Sequence, residues 1–443
     1  MTIPSNLMVS ISGIRGTVPE PLTAEVAYAF AWAYAAILPE GPVVVSRDSR
    51  PSGPELKGAV IRALQTQGRE VLDADLIPLP TTQLAVEKTH AAGAIDVTAS
   101  HNPAEYNGLK FLNNNGIFID QATLDKLLEQ VRAFSDHDGH KDGVTTDIHE
   151  QAMGWHVELL KDKVLPGKRL MVAVDAVNGA GSIIIPRLLS QMDCDLLPIA
   201  VDPTQPFPHV PEPLPANLVW TQEQLKGKQF DLCLVVDPDA DRLVVIDENG
   251  RLIPEEATIP LVAQELMLQG RKGPIVINMS TSRMTEDVAA QYGSTVERSK
   301  VGEVNVVTRM QEVNAIYGGE GGGGVIDPEI HYGRDSLVGL TYVVSLIRRT
   351  GKPLSQLVDE LPHYEMLKTK LPVPTGISLN EIYDKVQAKY PDAKANRLDG
   401  LRLDWADRWV HLRPSNTEPI FRIIAEAPTR EEVEKLASAG ILL

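Results

Sequence analysis

The chain has 443 residues, and its 43% hydrophobic and 23% charged content is that of a soluble globular protein with material for several cores. A formal net charge of −17 argues against a nucleic-acid or anionic-membrane partner, so an anionic substrate would need its own local basic pocket. Cys194 and Cys233 stand alone, too few for a disulfide framework or a cysteine zinc site; with no signal-type apolar core before Arg15, this points to a cytoplasmic protein.

The first motif in chain order is SGIRGT, residues 12–17. Arg15 lies between Gly13 and Gly16, so backbone and guanidinium can both approach an anion; in isolation the stretch reads as a glycine-rich turn with a surface Arg. A helix is expected over residues 23–38 with Thr23 as N-cap; its Ala-rich apolar run is too short to span a bilayer. A strand over 42–45 runs into SRDSRPSG, and a helix over 54–67 stops at Gly68. A strand over 95–98 then delivers Ser100 into a turn made by His101, Asn102 and Pro103, within VTASHNPAEYNGLK, residues 97–110. Residues 136–150, polar and rich in His and Asp, read as a surface loop near a domain boundary.

The pattern of apolar strand, polar turn, glycine and helix returns at RLMVAVDAVNGAG, residues 169–181, and at PIVINMSTSR, residues 274–283. Each copy leads on to a distinctive loop: TASHNP, then DPDADR, then GGEGGGG. This weak repeat predicts three similar α/β domains with mixed, mostly parallel sheets, each presenting a loop at the carboxyl edge of its strands. The expected divisions are 1–150, 151–252 and 253–365, with a smaller α+β unit over 366–443, all set around one central cleft.

In DPDADR, Asp237, Asp239 and Asp241 follow an apolar strand. Three carboxylates so close together repel one another unless a hard cation such as Mg²⁺ or Ca²⁺ lies between them. An EF-hand would use Glu248 as its last ligand, but Arg242 stands where that loop needs Gly, Pro238 stiffens its start, and strands flank it. Arg242 beside the cluster suits a phosphate facing the metal. In GGEGGGGVI, residues 318–326, Glu320 is one carboxylate among glycines, with Gly319 and Gly322 able to lay backbone against a ligand; a carboxylate there can accept from two sugar hydroxyls. KVGEVNV (300–306) and HYGRD (331–335) add polar groups nearby. Finally, RPSNTEP brings Arg413, Ser415, Asn416 and Thr417 into a turn between strands, an anion-binding concavity.

These four loops, in this order, resemble the α-D-phosphohexomutase family, which includes phosphoglucomutases, phosphomannomutases and phosphoglucosamine mutases. The resemblance covers essentially the whole chain. It implies a phosphorylated serine at Ser100, and Mg²⁺ held by Asp237, Asp239, Asp241 and that phosphoserine. It also implies that Arg15, His101, Lys110 and Arg242 surround the transferring phosphoryl group, that Glu320 contacts the sugar, and that Arg413, Ser415, Asn416 and Thr417 hold the distal phosphate. Many members carry Ser and then Gly-His after the sugar-loop Glu and its neighbour, where this chain has Gly322, Gly323 and Gly324. That departure removes side-chain contacts and leaves Glu320 as the one evident ionic contact of its loop to the sugar. KVGEVNV, GGEGGGGVI and HYGRD look closest to the archaeal-type phosphoglucosamine mutase branch, which makes glucosamine phosphate the expected substrate. A phosphatase using the same serine and metal, and a catalytically silent sugar-phosphate sensor, are the rival readings.

Overall fold

The computed structural model describes residues 1–135, 143–372, 378–414 and 420–438. Three of its sheets share one plan. In the first unit the strands Val43–Arg47, Val71–Leu76, Gly93–Val97 and Tyr106–Leu112 follow one another along the chain. In the second they are Met171–Asp175, Asp195–Ala200, Leu232–Val236 and Leu243–Asp247, and in the third Ile275–Asn278, Val296–Ser299, Tyr317–Glu320 and Gly324–Ile326. Each set is laid side by side in the order fourth, third, first, second. The first three strands run parallel, joined by helical crossovers, and the fourth turns back antiparallel on the third. The repeat read from sequence is therefore a repeat of topology, and the hairpin between third and fourth strands is where each distinctive loop sits.

The central strands read as unbroken apolar runs because helices cover both faces of the sheet. Val43, Val44 and Val45 are buried, as is every residue of Leu232–Val236. The helix Ala24–Ile37 starts where expected, with the Thr23 side chain accepting from Val26 N. One continuous apolar core spans all three units, from Val44 and Leu72 through Val174 and Leu234 to Ile277 and Val343. The almost wholly buried helix Ser336–Thr350, capped by Asp335, belongs to that core.

Two stretches differ from the sequence reading. SGIRGT is not a turn: Gly13–Thr17 is a strand pairing antiparallel with Tyr106–Leu112. Its glycines serve close approach, because a Cβ on Gly13 would lie 2.2 Å from Leu109 O of the partner strand and one on Gly16 2.9 Å from Pro21 Cγ. Within 136–150, residues 136–142 lie outside the described residues, but Thr145–Asp147 is a strand parallel to Val71–Leu76, and the helix His149–Lys161 follows. The polar composition conceals a short edge strand, which extends the first sheet to seven strands.

The fourth unit is an antiparallel five-stranded sheet with its own apolar core, built on Phe421, Val410 and Leu412 under the helices Leu379–Lys389 and Arg430–Ala437. It docks on the third unit through polar contacts. Asp399 accepts from Val301 N at 2.9 Å, His411 Nδ1 meets Ser280 Oγ at 2.9 Å, and Glu426 accepts from Arg283 N at 2.9 Å.

Candidate active site

Ser100 lies three residues past the third strand of the first unit in a left-handed conformation, φ +50°, that a non-glycine residue adopts only when its surroundings enforce it. The enforcing group is Arg50. This Arg and its partner Asp48 are fully buried and paired at 3.0 Å. The Arg50 guanidinium donates to the carbonyls of Ser100, Asn102, Pro103 and Tyr106, so the serine loop is wrapped around one cation. Thr98 completes the frame: its hydroxyl donates to Asp48 and accepts from Ser100 N. Losing the Arg50 side chain would leave the Asp48 carboxylate buried without its charge partner, a cost on the order of 3–5 kcal/mol. The sequence reading passed over Arg50; its only local signal is the Asp-x-Arg spacing in SRDSRPSG.

The second unit brings its carboxylates to this serine. Ser100 Oγ donates to Asp237 Oδ2 at 2.9 Å. Asp237, Asp239 and Asp241 alternate along the turn, so all three face the same way, and their ligand oxygens lie within 4.8 Å of one another. Ala240 takes φ +52° to make that turn. The cluster is buried, and Asp239 Oδ1 and Asp241 Oδ1 have no hydrogen-bond partner among the described residues. Burial first, and then Asp239 and Asp241, push the Asp237 carboxyl well above the ordinary carboxylate range. Unpartnered hard oxygens beside a carboxyl whose charge its neighbours oppose fit a divalent cation. Glu248 takes no part: its carboxylate lies beyond the strand Leu243–Asp247 and accepts from Ser355.

Cations flank the cluster. Lys110 Nζ lies 2.5 Å from Asp239 Oδ2 and 3.5 Å from Asp241 Oδ2; burial pulls its pKa down, but the two aspartates outweigh that and hold it above the ordinary value. Arg242 Nε is 3.7 Å from Asp241 Oδ1 and has no hydrogen-bond partner among the described residues. Arg15 Nη1 donates to Asn102 Oδ1 at 3.2 Å. His101 Nδ1 is 3.3 Å from Ser100 Oγ, and burial, with Arg242 and Arg15 adding to it, lowers its pKa to about 2, so the imidazole is neutral. The serine thus faces a partly buried arc of positive charge, suited to the dianion a phosphoserine would carry.

The third unit adds Glu320, the last residue of its strand and not part of a free loop. Glu320 Oε1 accepts from Asn278 Nδ2 at 2.8 Å and from Gly302 N at 2.7 Å, while Arg334 Nη1 donates to Oε2 at 3.2 Å. Glu320 is the one ionic group of its own loop, and it has an ion-pair partner from outside that loop, Arg334 of HYGRD. Gly322 is partly exposed and faces Arg242, whose Nη1 would be 3.8 Å from a Cβ there. Gly319 is buried, and a Cβ on it would lie 2.6 Å from Ile259 Cδ1, so packing alone explains its missing side chain.

In the fourth unit Arg413 Nε lies 3.3 Å from Asp399 Oδ2, at the edge of a cleft of about 490 Å³. Lys300, Asn305, Arg397 and Ile11 also line it, so the cleft opens between the first, third and fourth units. Ser415, Asn416 and Thr417 lie outside the described residues.

Comparison with known proteins matches these units one by one. The phosphoglucomutase/phosphomannomutase family descriptions match as alpha/beta/alpha domain I over residues 7–137, domain II over 155–250, domain III over 254–364, and the C-terminal domain over 372–440. The chain is 36% identical to a Thermococcus kodakarensis protein named "Phosphoglucomutase/phosphomannomutase", across 97% of each chain. It is 32% identical to a Methanopyrus kandleri protein named "Probable phosphoglucosamine mutase", across 96% of this chain and 95% of that one. A crystal structure of a phosphoglucomutase/phosphomannomutase family protein from Burkholderia thailandensis superposes with a TM-score of 0.83 at 27% identity, across 97% of this chain and 96% of that one. The chain belongs to the phosphoglucomutase/phosphomannomutase family and is an enzyme of the phosphohexomutase class, an isomerase acting by intramolecular phosphoryl transfer.

Proposed function

We propose that the enzyme interconverts hexose 6-phosphates and hexose 1-phosphates through a phosphoserine at Ser100 and a hexose 1,6-bisphosphate. The observation that carries this reading is the 2.9 Å hydrogen bond from Ser100 Oγ to Asp237 Oδ2 inside a buried, cation-flanked carboxylate triad. In the first half-reaction the P–Oγ bond of phosphoserine breaks and a P–O bond to the free sugar hydroxyl forms, while the proton that hydroxyl gives up is balanced by the one the Ser100 oxygen takes up. The bisphosphate then turns around, and its other phosphate returns to Ser100. Bound at Asp237, Asp239, Asp241 and the phosphoserine, Mg²⁺ would act as a Lewis acid on the phosphoryl oxygens. Lys110, Arg242 and Arg15 spread the charge that develops, and neutral His101 is placed to hydrogen-bond to the Ser100 oxygen. No helix among the described residues is long and apolar enough to cross a membrane, and a cytoplasmic location is part of this reading.

Arg413 would hold the phosphate that is not reacting. Arg413→Ala is expected to weaken binding of a hexose monophosphate by about 1.5–3 kcal/mol, the worth of a charge-assisted hydrogen bond. Its position at a cleft edge predicts an unchanged thermal transition. Titration calorimetry showing equal affinity in a folded variant would remove Arg413 from the site.

For the sugar, the expectation of glucosamine phosphate rests on the resemblance of the third-unit loops, to which a lone carboxylate at Glu320 would add an attraction for an ammonium group. With Arg334 paired to Glu320, that attraction is offset. We therefore propose a permissive pocket that turns over glucose, mannose and glucosamine phosphates with kcat/KM values within about tenfold of one another. A mutase assay across the three sugars tests both statements. A preference well above tenfold for one sugar would overturn the permissive pocket, and release of inorganic phosphate without isomerisation would overturn the mutase.

A further inference from the structure

Arg334 hydrogen-bonds both the metal loop of the second unit and the sugar loop of the third. Its Nη2 donates to Asp241 Oδ2 at 2.6 Å, its Nη1 to Glu320 Oε2 at 3.2 Å, and its Nε to Glu303 Oε2 at 3.0 Å. Glu303 in turn accepts from Gln83 of the first unit at 3.0 Å, so three units meet around this guanidinium. The backbone that carries it is fixed. Asp335 caps the helix Ser336–Thr350 with one oxygen and receives His156 Nε2 and His331 Nε2 at 2.8 and 3.0 Å on the other.

The glycine run of the sugar loop explains why Arg334 can lie there. A Cβ on Gly324 would stand 2.5 Å from Arg334 Cδ and 3.0 Å from its Cγ, so the arginine stem occupies the space a side chain at 324 would need. The loss of side chains at 322–324 is thus matched by the gain of an arginine delivered from ten residues further on. Nothing in the chemistry described above requires this group, because Asp241 has Lys110 and Arg242 beside it, and Glu320 has Asn278 and Gly302.

We propose that Arg334 is a positioning residue that couples the metal loop to the sugar loop, so that a cation at Asp241 tightens sugar-phosphate binding at Glu320. The inference rests on the mutase reading above. Without a cation the guanidinium is shared between Asp241 and Glu320. A divalent cation neutralises Asp241 and releases the Nη2 donor, which is then free for the sugar side while Nη1 keeps the Glu320 carboxylate aligned. Because binding couplings are reciprocal, the sugar phosphate must tighten the cation by the same factor.

The test uses the full chain carrying Ser100→Ala, so that nothing turns over, with glucose 6-phosphate titrated calorimetrically in Mg²⁺ and in EDTA. In this parent, Mg²⁺ should tighten glucose 6-phosphate by about fivefold or more, the low end of typical couplings. Adding Arg334→Gln should reduce that ratio to within about twofold. Gly324→Ala, which displaces the stem and keeps the charge, should reduce it as well, and it serves if Arg334→Gln fails to fold. Arg334→Lys should restore only part of the ratio, since a point charge cannot bridge two carboxylates as a planar fork does. A ratio near one in the parent, or an unchanged ratio in folded Arg334→Gln, overturns the inference. Absence of isomerase turnover in the unsubstituted protein would instead overturn the mutase reading, whatever the coupling.

Discussion

Ser100→Ala is expected to lower kcat by at least about 1,000-fold, which corresponds to roughly 4 kcal/mol or more of lost transition-state stabilisation. The substitution removes the atom that would carry the phosphoryl group, and among the described residues no other hydroxyl donates to Asp237 in its place. Thr98, the nearest candidate, already donates to Asp48, with Asp239 a weaker contact at 3.4 Å. The fold should tolerate the change. Ser100 contributes one hydroxyl hydrogen bond to Asp237, worth about 1 kcal/mol, while the loop's shape is held by Arg50 through backbone carbonyls that alanine retains. A coupled mutase assay with a thermal melt separates the two effects. An alanine variant with substantial turnover would show that Ser100 is not the phosphoryl carrier.

Asp239→Asn should lower kcat/KM by about 100-fold or more and raise the Mg²⁺ concentration needed for half activity by at least about tenfold. The carboxylate has two duties. Its Oδ1 is one of the orphaned oxygens of the cluster, and its Oδ2 is the 2.5 Å partner of Lys110. Asparagine keeps the size and gives up the charge that balances Lys110 and attracts a divalent ion. A full Mg²⁺ titration of both proteins distinguishes loss of metal affinity, recovered at high Mg²⁺, from misplacement of Lys110, which is not recovered. Full activity in either protein under strong chelation would contradict the metal assignment.

The parts of the site legible in the sequence are those whose chemistry is compressed into a few consecutive residues. Asp237, Asp239 and Asp241 alternate within five positions, and Ser100 sits directly behind an apolar strand, so local spacing already puts the groups together. Arg50, Glu303 and Arg334 carry no such signal, because what they do depends on partners brought up by the fold. Arg50 acts on carbonyls some fifty residues away, and Arg334 meets Asp241 across 93 residues. Glycine misled the reading in two places for one reason. At Gly13–Thr17 and Tyr317–Glu320 it marks close packing of strands, yet in a sequence it looks like a turn. The threefold repeat was recoverable because each unit's apolar strands and polar loop recur at similar intervals. The strand Thr145–Asp147 was not, since three exposed polar residues have no periodicity to read.

The central claim is that Ser100 stores a phosphoryl group and passes it to the sugar. The direct measurement loads the unsubstituted enzyme with a radiolabelled hexose 1,6-bisphosphate, maps the labelled peptide, and then chases with unlabelled hexose 6-phosphate in a single turnover. The account predicts label on the peptide containing Ser100 and its transfer into sugar bisphosphate on the chase. Label on a different residue, or its release as inorganic phosphate while no sugar is labelled, would contradict it.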